Sequence, residues 1–175
     1  MTYKIIGDSC TDATTLLLPS DGFVQVPLSI HVGGKVIVDD ESFHQQTLLD
    51  LMAGSRESPR TACPAPSQYL EQFEEGKDTY IVTLSAALSG SYNVAMQARA
   101  IYREEGGRGN VHVFNSRSAS AGQAQIALLI HQLASAGESF QWVVETVEAY
   151  ISRMHTMFVL ENLDNLRKNG RMTRV

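Results

Sequence analysis

The sequence predicts an α/β fold: a mainly parallel sheet flanked by helices. Three observations carry that expectation. Short β-prone runs alternate with runs of helical periodicity, the clearest strand candidate is almost continuously apolar, and three strand candidates end in hydroxyl-rich loops. With 175 residues, 43% of them hydrophobic, the chain is long enough to bury a core and falls in the usual range for one domain.

Tyr3-Lys4-Ile5-Ile6-Gly7 reads as the first strand. It stops at Asp8-Ser9-Cys10-Thr11-Asp12, five small or polar residues suited to a strand end followed by a turn or helix cap. Residues 23–32 alternate as a second strand until Gly33-Gly34 turns the chain, and Pro27 marks an edge or a bulge within it. Thr47 then caps a short helix with Leu48, Leu49, Leu51 and Met52 inward. Residues 58–66 form a proline-stiffened loop leading into a helix over 67–75. Residues 78–84 are the nearly continuous apolar strand. Val94, Ala98, Ile101 and Tyr102 repeat at helical spacing, which starts the following helix at Ser89 or Ser91, and Gly106-Gly107 ends it. Residues 110–114 are another strand, running into Asn115-Ser116-Arg117-Ser118-Ala119-Ser120. A helix over 121–135 is apolar on most sides and therefore sandwiched. Phe140, Val143, Val144, Val147, Ile151 and Met154 mark an amphipathic helix, and residues 157–160 a last strand.

Bulk properties exclude several classes of function. A formal charge of −5 and a pI near 5.5 leave no clustered basic face for nucleic acid; the basic residues gather only at Arg167-Lys168-Asn169-Gly170-Arg171. Two cysteines, Cys10 and Cys63, are too few for a disulfide framework and fit a reducing, cytoplasmic compartment. No apolar run approaches a membrane span, so no stable membrane anchoring is expected. The histidines at 31, 44, 112, 131 and 155 show no ligand spacing, and no glycine-rich nucleotide loop is present, so neither a metal nor a cofactor is expected.

In an open parallel sheet, ligands bind outside the carboxyl ends of the strands, where the loops beginning at Asp8-Ser9, Ser85 to Ser91 and Ser116 to Ser120 must gather. Leu88-Ser89-Gly90-Ser91-Tyr92 admits three readings. As a nucleophile, Ser89 would need a base, and the segment does not match the G-x-S-x-G elbow. As a helix cap, one serine satisfies an orphan N–H. As an anion cradle, Gly90 allows close approach while hydroxyls and the helix N-terminus supply donors. Thr61 sits in the stiff loop, where a plain turn residue is the competing reading. Asp8 and Asp12 read as turn or cap residues or as paired carboxylates.

Taken in order, the motifs resemble the DegV family of bacterial fatty-acid-binding proteins, the lipid-presenting subunits of fatty acid kinase. The segments are Asp8-Ser9 with Asp12; Val26-Pro27-Leu28; Thr61-Ala62-Cys63-Pro64 for T-S-Q-P; and Leu88-Ser89-Gly90-Ser91-Tyr92 for L-S-G-T-Y. They continue with Asn115-Ser116, Ser120 and Gly122 for D-S…S-x-G, and with the segment from Leu163 to Met172 for L-x-x-L-x-x-G-G-R-I. Asn115, Ala62-Cys63, Ser91 and Asn169 depart from the family pattern. The resemblance implies a DegV-like α/β domain over residues 1–160 and an interdomain segment over 161–175, with the second domain of similar proteins absent from this sequence. It implies that Thr61 and Ser89 bind a long-chain fatty-acid carboxylate with Gly90 N–H and Arg171 nearby, and that Asp8, Ser9, Ser91 and Ser120 stand behind them. It also implies a separate kinase subunit that performs the chemistry. The rival reading is an α/β serine hydrolase or phosphoryl-transfer enzyme using Ser89.

Overall fold

The computed structural model describes residues 2–12, 18, 22–55, 57–157 and 159. Four strands form one parallel sheet in the order β2 (Phe23–Val26), β1 (Tyr3–Asp8), β6 (Asp78–Thr83), β7 (Val111–Asn115). The register aligns Ile5 with Phe23 and Tyr80, and Val82 with Phe114. Since all four strands run the same way, the loops that follow β1, β6 and β7 emerge at one edge.

The apolar side chains of these strands alternate between two cores, as the twofold period of a strand requires. On one face Tyr3, Ile5, Tyr80, Val82 and Phe114 pack against α4 (Ala121–Ser135) and α5 (Phe140–Arg153) through Ile126, Ile130, Val143, Val147 and Ile151. Tyr80 stacks on Phe140 with ring centroids 5.0 Å apart. On the other face Ile6, Val26, Ile81, Val111 and Val113 meet α2 (Pro66–Leu70) and α3 (Ser91–Glu104) through Tyr69, Ala95 and Ala98. Helix α4 is thus sandwiched between sheet and α5, as its apolar composition predicts, and Ser139 caps α5 by accepting the Trp142 N–H at 3.3 Å.

The α/β class holds, and a second sheet adds to it. Residues 23–32 are two strands rather than one: the chain leaves the edge strand β2 at Pro27 and re-enters as β3 (Ser29–Val32) in a three-stranded antiparallel sheet of order β4-β3-β5. A residue without an N–H is well placed at such a switch. β4 (Lys35–Val38) follows the Gly33-Gly34 turn, where both glycines have positive φ as a two-residue hairpin requires. β5 (Arg60–Ala62) lies in the proline-rich stretch read as loop, pairing Thr61 with Ile30. Its three residues are too short a run to carry an alternation signal.

Other boundaries are corrected too. Helix α1 (Gln45–Gly54) begins after His44, which places Thr47 within its first turn, and none of its residues is buried; Leu49 is 47% exposed. Helix α2 stops at Leu70 instead of continuing to 75. Of the last expected strand, Met157 and Val159 are exposed and not in a strand, while Phe158 and Leu160 lie outside the described residues.

These layers set an expected contrast. Ile126→Ala, deep between sheet and α5, should destabilise the fold by about 3 kcal/mol, whereas Leu49→Ala should change it by less than about 0.5 kcal/mol; urea unfolding of both variants measures the difference.

Candidate functional site

Asp8 closes β1 with its carboxylate fully buried at the carboxyl edge of the parallel sheet. Oδ2 accepts the Leu84 N–H at 2.6 Å, just beyond β6, and Oδ1 accepts an Nε2 hydrogen of Gln123, in the first turn of α4, at 2.9 Å. The Cys10 N–H and the Ser91 hydroxyl further favour the charged form. Burial opposes them and prevails, raising the Asp8 pKa above the ordinary carboxylate range. A carboxyl shifted in this direction contributes stability below its unfolded pKa, and that contribution is lost as pH rises through the folded value. Gln123 Nε2 also donates to Thr11 Oγ1 at 3.0 Å. One carboxylate therefore ties together the loop after β1, the loop after β6 and the start of α4.

The Ser89 turn is built against this anchor. Ser91, the first residue of α3, is fully buried; its N–H donates to Ser89 Oγ at 3.2 Å, and the two hydroxyl oxygens are 3.0 Å apart. Ser89 N–H donates to Ser85 O at 3.0 Å. The capping and cradle readings thus meet in one residue. Ser89 Oγ takes a first-turn N–H and retains a proton to donate, and no side chain at Gly90 caps the helix. Gly90 has an ordinary right-handed conformation, φ −74°, so its value lies in space rather than in φ: a Cβ there would stand 3.2 Å from Cys63 Sγ. Cys63, just past β5, therefore lies beside the Ser89 turn. Among the described residues, the histidine hydrogen bonds go to Tyr3, Ser29 and Glu148, and none involves Ser89.

The remaining sequence-predicted residues divide between this centre and its frame. Thr61 is exposed on β5 and lines a polar concavity of about 850 Å³ with His31, Lys35, Glu57, Ser58 and Arg60. Ser9 Oγ accepts the Leu28 N–H at 3.1 Å and Ser9 N–H donates to Val26 O at 3.0 Å, which fixes the switch between sheets at Pro27. Ser120 has φ 53°, a strained value for a residue with a Cβ. It is held by its N–H to Cys10 O at 3.0 Å and by its hydroxyl to Asp12 Oδ2. Asp8 and Asp12 are separate anchors, not a pair. Asn115 Oδ1 accepts the N–H groups of Ala86 and Arg117 at 3.0 and 3.2 Å, an acceptor role that the family's aspartate could equally fill. Arg171 lies outside the described residues.

Two buried groups were not singled out from the sequence. Gln123 is one of several long polar residues in α4, with Gln125, His131 and Gln132, and the sequence does not distinguish it as the buried one. Tyr69 Oη is buried beside Ser91 and Asp8 without a hydrogen bond of ordinary geometry. Burial, with the neighbouring Asp8 charge, pushes its pKa strongly up and keeps it protonated. No group of three or more metal-ligating side chains occurs among the described residues, and no helix among them is long and apolar enough to cross a membrane.

Residues 2–175 match the sequence profile of the DegV family. A DegV domain-containing protein of Streptococcus pneumoniae is 39% identical over 177 residues; the match takes in all of this chain, which spans 63% of that relative's length. A DegV family protein from Ruminococcus gnavus, solved with vaccenic acid, is similar at 48% identity and a TM-score of 0.94, over 99% of this chain and 63% of that one. The fatty acid kinase (Fak) B3 protein of Streptococcus pneumoniae, loaded with linoleic acid, is similar at 39% identity and a TM-score of 0.92, over 99% and 62%.

The close fit of the frame makes one substitution diagnostic. A Cβ on Gly122 would fall 2.0 Å from Ser118 Oγ, so Gly122→Ala should destabilise the protein by about 2 kcal/mol despite the better helix propensity of alanine, as read by thermal or chemical unfolding.

Proposed function

The chain belongs to the DegV family, and from that premise we propose that it binds a long-chain fatty acid and presents the carboxylate to a separate fatty acid kinase subunit. The observation that carries this reading is the closeness of Cys63, which follows β5, to Gly90 in the Ser89 turn, where a Cβ on Gly90 would stand 3.2 Å from Cys63 Sγ. Ligand-bound relatives support it: the Ruminococcus gnavus protein holds vaccenic acid, and the pneumococcal fatty acid kinase B3 protein holds linoleic acid.

In this reading Thr61 and Ser89 donate hydroxyl protons to the carboxylate, the Gly90 N–H adds a third donor, and the Arg171 guanidinium supplies positive charge. Asp8, Ser9, Ser91 and Ser120 hold those donors in place. Burying an acyl tail at about 0.8 kcal/mol per CH₂ yields on the order of 10 kcal/mol before association costs, so the tail supplies affinity and the hydroxyls supply orientation. The chain orients substrate, and the kinase subunit transfers the phosphoryl group. Residues 161–175 lead toward a second domain that completes the acyl site, and the two reduced thiols suit the cytoplasm.

The test is displacement of a fluorescent fatty acid by oleate. Ser89→Ala and Thr61→Ala should each weaken binding by about tenfold or more, the loss of a hydrogen bond to a charged group; Ser89→Ala, which also removes the acceptor of the Ser91 N–H, should in addition lower stability by about 1 kcal/mol. Parent affinity in both variants would count against the reading.

A further inference from the structure

Among the described residues, Arg117 and Ser120 alone combine a Cβ with a positive φ, 51° and 53°, and both stand in the loop that follows β7 at the carboxyl edge of the parallel sheet. Such backbone is costly for a residue with a side chain, and residues held that way cluster at ligand sites. The turn at Arg117 is closed by a buried serine on either side. The Ser118 N–H donates to Ser116 Oγ at 3.1 Å, and the Ser116 hydroxyl donates to Ser118 O at 3.0 Å. Arg117 itself is exposed at the apex, so no packing requires an arginine there, and glycine would fill the place without strain. Its guanidinium has no hydrogen bond or ion pair among the described residues; the N–H to Asn115 is its backbone's.

Hydrogen bonds between neighbouring loops bring this apex to the Ser89 turn. β7 pairs with β6, the Ser85 N–H donates to Ser118 O at 2.9 Å, and Asn115 Oδ1 accepts both the Ala86 N–H at 3.0 Å and the Arg117 N–H at 3.2 Å. One turn of chain then leads from Ala86 to Ser89, closed by the Ser89 N–H on Ser85 O at 3.0 Å. The acceptor that joins the two loops is an amide. Asn115 holds both N–H groups without setting a negative charge at the base of the arginine, as an aspartate there would. The acids of this edge are engaged elsewhere, Asp8 with Leu84 and Gln123, and Asp12 with Ser120.

We propose that Arg117 is a specificity residue for the phosphorylated ligand: its guanidinium binds the phosphoryl group of an acyl phosphate whose acyl oxygen stays at Ser89. This inference rests on the reading of Ser89 as a carboxylate donor. In the transfer, one carboxylate oxygen takes the terminal phosphoryl group of a nucleoside triphosphate, and the nucleoside diphosphate leaves. The head group thereby changes from a carboxylate with one negative charge to a mixed anhydride whose phosphoryl group carries close to two. Ser89, Thr61 and the Gly90 N–H are neutral donors, sufficient for the first and not for the second. The added charge lies beyond the acyl oxygen, on the solvent side of Ser89, where an arginine can meet two phosphoryl oxygens at once with its forked N–H groups.

Displacement of a fluorescent fatty acid from the full-length protein compares two competitors: oleate, and the stable phosphonate in which CH₂ replaces the bridging oxygen of oleoyl phosphate. Arg117→Gln should weaken phosphonate binding by about tenfold or more, the loss of charge-assisted hydrogen bonds, and change oleate affinity by less than about threefold. Arg117→Gly, which fits the positive φ, should show the same split with no loss of stability. Parent affinity of Arg117→Gln for the phosphonate would overturn the proposal. So would equal losses for the two competitors, which mark a part in building the site and not in reading the phosphoryl group. If Ser89→Ala loses oleate while Arg117→Gln keeps the phosphonate, only the role of Arg117 fails; if Ser89→Ala binds oleate as the parent does, the carboxylate reading fails and takes this inference with it.

Discussion

A carboxylate at the carboxyl end of a central strand, shut away from water, must collect donors or give up its charge. Asp8 collects them from chain segments far apart in sequence: Cys10 beside it, Leu84 past β6, Ser91 at the head of α3, and Gln123 in α4. Because each donor belongs to a different loop or helix start, satisfying one side chain fixes those segments relative to one another. Gly7 serves the same closure, since a Cβ there would meet Thr11 Oγ1 at 2.7 Å and push the loop away from the strand. Asp8 thus helps fix the segments from which the hydroxyl-rich loops emerge.

That closure explains why hydroxyls, not lysines, gather at the edge. Helix starts present unpaired N–H groups that a short side chain can reach, and serine meets the need without adding a net charge beside Asp8. Ser89, Ser91, Ser116 and Ser118 all exchange hydrogen bonds with backbone or with one another. Ser118 reaches further, its Oγ lying 2.6 Å from Thr156 Oγ1 past the end of α5. Most of these serines therefore serve the frame, and the Ser89 turn is distinguished by the closeness of Cys63, just past β5, to Gly90.

The parallel sheet and its helices were legible because their signals are long. β6 is buried over nearly its whole length around the apolar run Tyr80-Ile81-Val82, α5 keeps a clean stripe, and α4 is apolar on most sides. The antiparallel sheet was not, for reasons visible in particular residues. β5 has three exposed residues, and β3 continues the pattern of β2 across Pro27, so nothing local announces that the chain has changed sheets. Leu48, Leu49, Leu51 and Met52 have the composition of a buried face, yet α1 buries none of them; composition reports what could be covered, not what is. Thr61 belongs to a strand paired with Ile30 and Cys63 follows it beside Gly90, a placement that only the three-dimensional register supplies.

The most direct test of the account follows backbone amide signals by nuclear magnetic resonance while a fatty acid labelled with ¹³C at its carboxyl carbon is added. The largest shifts should fall on Gly90, Ser91 and Thr61, and the labelled carbon should report an ionised carboxylate in contact with them. Shifts centred instead on the His31 to Val36 hairpin, with Gly90 and Ser91 unmoved, would contradict it.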